Sequence, residues 1–405
     1  MSLIESAEVL EHTTTPGLPY NIFLCCVGLG AGPHDFDKVS SVIEERFCDQ
    51  NYLILKSKNH KHGKAHSGID QLGIWFAEQV VSCLRCYDMQ IRHVNNGQKH
   101  KVSILGHSIG GLVARYSLGL LFEENSTHEF VNVFNERYKQ FIELRSFFSI
   151  VCPHLGTRRN VDGLFKFWWA AGSYVYLGAF GHTGTQLRLG DGRDHESNLL
   201  RIISEPGSCF MNALGQFKYR TLLAITHFDT NLSYVSGSIR AFNPYPEPKF
   251  GHPDFKLVGY SNFHTCYEKS FERHLRYESE QDVKVSVGEI IDYNNILQNK
   301  LTNRLVNDGG VISYGDDLQG TEFDLNPNVK KEPFMDSELQ IMKDLQTLSW
   351  RRLDVQFIVN VGFQHSFIHL LPIGCTKNFK LGLKGLIRSG SRCVDLVVTT
   401  LQYDH

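Results

Sequence analysis

The sequence predicts an α/β fold: a mostly parallel central sheet flanked by helices, with a cap-like segment and a loop-rich insertion. Three observations predict it. Apolar runs of strand length recur along the 405 residues. They are continuous rather than alternating, as strands buried on both faces of a parallel sheet require. Amphipathic helical stretches alternate with them, the rhythm of a doubly wound sheet.

The first run is residues 20–27 (YNIFLCCV), which ends in the glycine-rich turn Gly28-Leu29-Gly30-Ala31-Gly32-Pro33. The second is 51–56 (NYLILK). Residues 69–88 follow as a helix, with Leu72, Trp75, Phe76, Val80, Cys83 and Tyr87 at helical spacing. A third strand, 101–105 (KVSIL), leads straight into GHSIGG and a helix with Leu112, Val113, Tyr116 and Leu120 on one side. Strands at 145–152, 219–226 and 353–361 come next, the last preceded by a helix at 336–348; a final helix covers 392–401. Two stretches break the rhythm. Residues 157–215 are glycine- and aromatic-rich and read as a lid or cap segment. Residues 240–335 are rich in Asn, Asp, Pro and Gly and read as a loop-rich insertion in a single domain spanning 1–405.

Composition narrows the function. Hydrophobic residues make up 42% and charged residues 21%, enough apolar material for a large core. The net charge of -2 gives no basic patch or stripe, so no nucleic-acid partner is expected. The first twenty residues carry early acids and no apolar run, unlike a secretory signal. No stretch reaches the roughly 18 uncharged apolar residues of a membrane span. The ten cysteines are scattered, several inside apolar runs, and are expected to be buried thiols in a reducing, cytoplasmic setting.

The chemistry centres on Gly106-His107-Ser108-Ile109-Gly110, a GxSxG placed between a strand and an amphipathic helix. That context is a nucleophile elbow. Its glycines leave room for a tight, strained turn, and the helix that follows directs its amide N–H groups toward the reacting oxygen. An α/β-hydrolase site then requires an acid and a histidine, in that order, each after a later strand. Asp229 lies three residues past the strand ending at 226. For the base, the turn after 361 offers His365 and His369, and spacing favours His365. Backbone amides of Leu29 and Ile109 are the expected oxyanion donors.

Other patterns carry less. The glycines at 28–32 fail as a dinucleotide motif because Pro33 stands where its last glycine is needed. His60, His62 and His66 have metal-like spacing, but Lys61 and Lys64 between them suit a solvated basic loop better. Cys83 and Cys86 form a CxxC inside a helical pattern, which reads as core-facing. His107 and His154 precede the acid, out of order for the base. No metal or cofactor is expected.

With these pieces in view, the sequence resembles the serine esterases of the lipase-like α/β-hydrolase superfamily, which include yeast lipid-droplet lipases and many plant proteins. The matching pieces are the Gly28-Leu29 loop with Pro33 and Asp35, SGIDQLG at 67–73, ILGHSIGGLVARY at 104–116, CPHLGTR at 152–158 and GHTGTQL at 181–187. FKYRTLLAITHFDTNLSYVSGSIR at 217–240 and the LSWRRLDVQF…HSFIHL segment at 348–370 complete them. The resemblance implies a carboxylic ester hydrolase with Ser108 as nucleophile, the acid on Asp229 and the histidine on His365. It implies a lipid ester substrate and peripheral contact with a membrane or lipid-droplet surface. The run 164–180 (LFKFWWAAGSYVYLGAF) suits a lid or an acyl-chain wall as well as it suits a core helix. A pseudohydrolase acting as a binding module, and an acyltransferase or thioesterase using the same three residues, are the alternatives.

Overall fold

The computed structural model describes residues 7–58, 66–94, 97–122, 133–157, 180–193, 197–241, 243, 245, 247–263, 267, 270–271, 336–359, 368–375 and 384–405. Among these residues lie eight strands: β1 (Glu8–His12), β2 (Tyr20–Cys26), β3 (Asn51–Lys56), β4 (His100–His107), β5 (Ile142–Ile150), β6 (Tyr219–Ile225), β7 (Asp254–Ser261) and β8 (Arg351–Ile358). They form one sheet in the order β1-β3-β2-β4-β5-β6-β8-β7. The six inner strands run parallel, and β1 and β7 close the two edges antiparallel to β3 and β8.

The continuous apolar runs are explained by the two cores. Along β2, Ile22, Leu24 and Cys26 enter one cluster, while Phe23, Cys25 and Val27 at its end enter the other. Side chains alternate across a strand, so a strand covered on both faces must be apolar at every position. The helices Ile69–Cys86 and Gly110–Phe122 cover the first face through residues such as Leu72, Phe76, Leu112 and Val113. The helices Asp37–Arg46 and Lys384–Asp404 cover the second through Val39, Ile43, Val394 and Val397. Cys83 is buried on its helix and Cys86 is exposed, so the CxxC thiols sit in different environments. No helix among the described residues is long and apolar enough to cross a membrane.

Two edge strands escape the sequence pattern. β1 is short and only partly buried. β7 alternates buried and half-buried positions, as an antiparallel edge strand does. It lies inside the stretch expected to be a loop-rich insertion, so that expectation is corrected for 254–261; residues 272–335 of the same stretch lie outside those described.

The end of the sheet away from the C-terminal strand ends is held by buried charge. Asp404 is fully buried and takes a bidentate pair from Arg351, with Nη1 2.8 Å and Nη2 2.7 Å from its two oxygens. The hydroxyl of Tyr267 donates to the same carboxylate at 2.6 Å, and Ser146 Oγ donates as well. Removing one partner leaves the other charge buried without compensation. Asp404→Ala is therefore expected to destabilise the fold by about 3–5 kcal/mol. Urea denaturation measures this, and a loss below about 1 kcal/mol would place the pair in the weak, solvent-screened class.

Candidate active site

The nucleophile elbow is built where β4 meets the helix Gly110–Phe122. Ser108 takes φ 54, a left-handed backbone conformation uncommon for a residue with a side chain. Its amide donates to Ile150 O at 2.9 Å, tying the turn to the end of β5. The flanking glycines permit the turn. A Cβ on Gly106 would lie 2.5 Å from the Cα of Gly111, and one on Gly110 would run into the carbonyl oxygen of Cys26.

Asp229 lies in the loop after β6, following Phe228 at φ 68. One of its oxygens accepts from the amides of Asn231 (2.8 Å) and Leu232 (3.2 Å). The other is 2.7 Å from Nδ1 of His369. Nε2 of His369 is 2.9 Å from Ser108 Oγ. A carboxylate can only accept, so Nδ1 carries the proton and Nε2 receives the serine hydroxyl. The Asp229 and His369 side chains are 2% and 8% exposed, so this relay is shielded from water.

Spacing in the sequence favours His365, whereas the ring that the structure brings to Asp229 and Ser108 is four residues on. His369 is the ring that joins Asp229 to Ser108, while His365 lies outside the described residues. The spacing argument counted from a strand ending at 361, but β8 ends at Ile358. His369 stands beside Ile368 and Leu370, just before a short 3-10 turn at Leu371–Ile373.

Ser108 and His369 open on a cavity of about 420 Å³. Leu29 and Ile109 line it, and no hydrogen bond among the described residues occupies either of their amides. Pro153, Phe180, Leu187 and Leu232 give much of its wall an apolar character. Asp35 and Cys375, which sequence reasoning did not connect with the site, also face it; the Cys375 thiol is 3.6 Å from an Asp35 oxygen.

Two of the sequence motifs turn out to be one joint beside this cavity. Thr183 Oγ1 accepts from the Gly68 amide at 3.0 Å, and Gln186 Oε1 accepts from the Ile69 amide at 2.5 Å. Gln186 Nε2 also donates to Asp70 at 2.8 Å. GHTGTQL thus satisfies two of the amides at the start of the helix that SGIDQLG begins, those of Gly68 and Ile69. The joint sets Phe180 against the His66 ring, centroids 5.7 Å apart. His60 and His62 lie outside the described residues. Among the described residues, Glu8, His34 and Asp37 are spaced to hold a metal, but Lys56 Nζ already sits 2.6 Å from Glu8 and 2.9 Å from Asp37.

Two further histidines are buried near the elbow. His154, from CPHLGTR, is 2.8 Å from Ser149 Oγ and 3.5 Å from Arg115 Nη1. Burial, then the neighbouring Arg115, pushes it well below the usual histidine range. Burial and the adjacent His369 push His107 down to about 3. Both therefore stay neutral in the folded state at pH values where an unfolded histidine takes up a proton, below about 6.5. The folded pKa is depressed, so no stability is lost above that value. As pH falls below about 6.5, the unfolded state binds more protons and stability drops, by up to about 1.4 kcal/mol per pH unit for each ring. Denaturation midpoints measured from pH 7 down to 5 should decline, and His154→Gln should flatten the decline. A slope unchanged by that substitution would remove His154 from the account.

A mostly parallel sheet whose central strand ends in a GxSxG elbow, with an aspartate and a histidine from later strand ends meeting the serine, defines an α/β-hydrolase. The chain belongs to the family described as "Putative serine esterase (DUF676)", whose profile matches residues 19–239. It is 26% identical over 190 residues to "Putative lipase YDL109C" of Saccharomyces cerevisiae, a match covering 46% of this chain and 25% of that protein. Among solved structures, it is similar to Aspergillus fumigatus lipase B at 13% identity and a TM-score of 0.30, over 59% of this chain and 45% of that one. It is also similar to the peroxisomal alpha-beta-hydrolase Lpx1 of Saccharomyces cerevisiae at 11% identity and a TM-score of 0.27, over 78% and 86%. Likenesses at such scores carry no argument, and the fold class rests on the strand order and the elbow. The chain spans about a quarter of the length of the first of these yeast relatives.

Proposed function

We propose that this protein hydrolyses carboxylic esters of lipids through an acyl-enzyme on Ser108. The observation that carries the reading is the hydrogen-bonded relay Asp229–His369–Ser108, opening on a largely apolar cavity. His369 takes the proton of Ser108 as Oγ attacks the ester carbonyl. Asp229 holds the ring with Nδ1 protonated and stabilises the imidazolium that forms. The amides of Leu29 and Ile109 hold the oxyanion. His369 then protonates the leaving alkoxide, and later draws a proton from water as it attacks the acyl-enzyme, releasing the acid and restoring Ser108.

The lipid part of the reading rests on the cavity wall and on the aromatic run at 164–180. Phe180, at the end of that run, lines the cavity; residues 164–179 lie outside those described. Trp168 and Trp169 suit the boundary between water and lipid, so the proposal includes peripheral contact with a membrane or lipid-droplet surface and a lid role for this run. A fluorophosphonate probe should label the wild type and not Ser108→Ala. A panel of lipid esters with water and alcohol as competing acceptors then names the substrate and separates hydrolysis from acyl transfer. An unlabelled, folded wild type would instead make the chain a binding module.

A further inference from the structure

We propose that His107, the residue before the nucleophile, is a positioning residue that fastens the loop carrying the catalytic histidine to the end of β4. The inference rests on the reading of Ser108 and His369 given above.

His107 is the last residue of β4 and is paired in register with Ile150 of β5, so its backbone is fixed by the sheet. Its ring is 2% exposed. Nε2 lies 2.9 Å from the main-chain carbonyl oxygen of His369. A carbonyl can only accept, so Nε2 carries the proton and donates it. Nδ1 is then a bare lone pair, and it has no hydrogen-bond partner among the described residues. It sits 3.3 Å from where a Cβ on Gly28 would stand, so the ring is wedged between the His369 loop and the loop that carries Leu29. The rings of His107 and His369 are 5.2 Å apart and inclined at 48°.

This bond does something the relay cannot do for itself. Asp229 and Ser108 hold the His369 ring only through its nitrogens, and His369 belongs to a turn rather than to a strand. The His107 bond ties the main chain of that turn to the strand end that also presents Ser108. Nucleophile and base thus move as one unit, and misplacing reacting groups by about 1 Å can cost on the order of 100-fold in rate. The arrangement also needs a neutral neighbour. His369 becomes a cation in the reaction, and a second charged imidazole this close would oppose it. The titratable groups that act on His107 are His369 and Asp229: burial and the charge of His369 both keep the ring uncharged, and together they outweigh the opposing pull of Asp229.

Two amides of equal chemistry separate positioning from mere filling. The amide nitrogen of glutamine reaches about as far as Nε2, and that of asparagine stops near Nδ1. His107→Gln should keep the bond and retain most of kcat. His107→Asn should lose it, with kcat falling about 10- to 100-fold while KM changes little. If His107→Asn does not fold, His107→Phe keeps the ring volume without the donor and should show the same loss. The acid limb of kcat/KM against pH should keep the wild-type midpoint in His107→Gln. Equal kcat in the glutamine variant and a folded donor-less variant would overturn the inference, as would a displaced acid limb in His107→Gln. Failure of the underlying reading looks different, because activity would then survive Ser108→Ala.

Discussion

Replacing Ser108 with alanine is expected to lower kcat by about 10⁴- to 10⁶-fold while leaving the melting temperature nearly unchanged. The two halves of this expectation have separate causes. In the proposed mechanism Oγ is the atom that forms the acyl-enzyme, and its hydroxyl donates to Nε2 of His369 at 2.9 Å. Without it the relay has no nucleophile, and what remains is the rate supplied by the oxyanion donors and by binding alone. The turn itself barely notices the change. Alanine has the same Cβ as serine, so the cost of holding φ 54 is the same for both. Stopped or initial-rate assays on a soluble short-chain ester, beside a melting curve, check both halves. A folded variant turning over within about tenfold of wild type would remove Ser108 from the chemistry.

The parts of the fold most legible in the sequence are those whose physics is local. β2, β3, β4 and β6 are buried on both faces over most of their length, so each shows as a mainly apolar run without strict alternation. The elbow is legible because glycine is demanded at 106 and 110 by backbone atoms close in the chain or in the adjacent strand. β1 and β7 are not, because an edge strand draws half its definition from a partner far away in sequence. Leu10 pairs with Ile54 and Leu257 with Val355, and neither pairing leaves a local trace. The Arg351–Asp404 pair is hidden for the same reason: Tyr267 and Ser146 complete it from elsewhere in the chain.

The site divides along the same line. Ser108 declares itself by its own neighbours. Asp229, the carboxylate that meets His369, is singled out in the sequence by chain order and by its distance from the end of β6. Choosing between His365 and His369 needs the length of β8 and the path of the turn after it, and the apolar run in the sequence continues past the end of β8 at Ile358. Val359 is buried without belonging to β8, which is why hydrophobicity alone extends it. His107 was set aside for standing before the acid, yet its ring meets the carbonyl of His369. Chain order tests for a base and is blind to a residue that holds the base.

His369→Gln is expected to cost about as much as Ser108→Ala, and His365→Gln to cost little. A nucleophile and its base act as a unit, so removing either alone abolishes nearly all that the pair contributes, on the order of 10⁴- to 10⁶-fold in kcat. Two contacts assign the role: 2.7 Å from Nδ1 to Asp229 and 2.9 Å from Nε2 to Ser108. The glutamine side chain can keep one of these contacts but cannot take up a proton at neutral pH, so the variant lacks a base whatever its geometry. The double variant Ser108→Ala/His369→Gln should be no slower than Ser108→Ala alone, because the second change removes a partner whose task has already gone. Additive losses would instead mean that His369 acts on its own, outside the relay. If a folded His365→Gln enzyme is dead while His369→Gln turns over normally, the base lies four residues upstream. The contacts of His369 would then be those of a spectator ring, and the inference on His107 would lose the loop it is said to fasten.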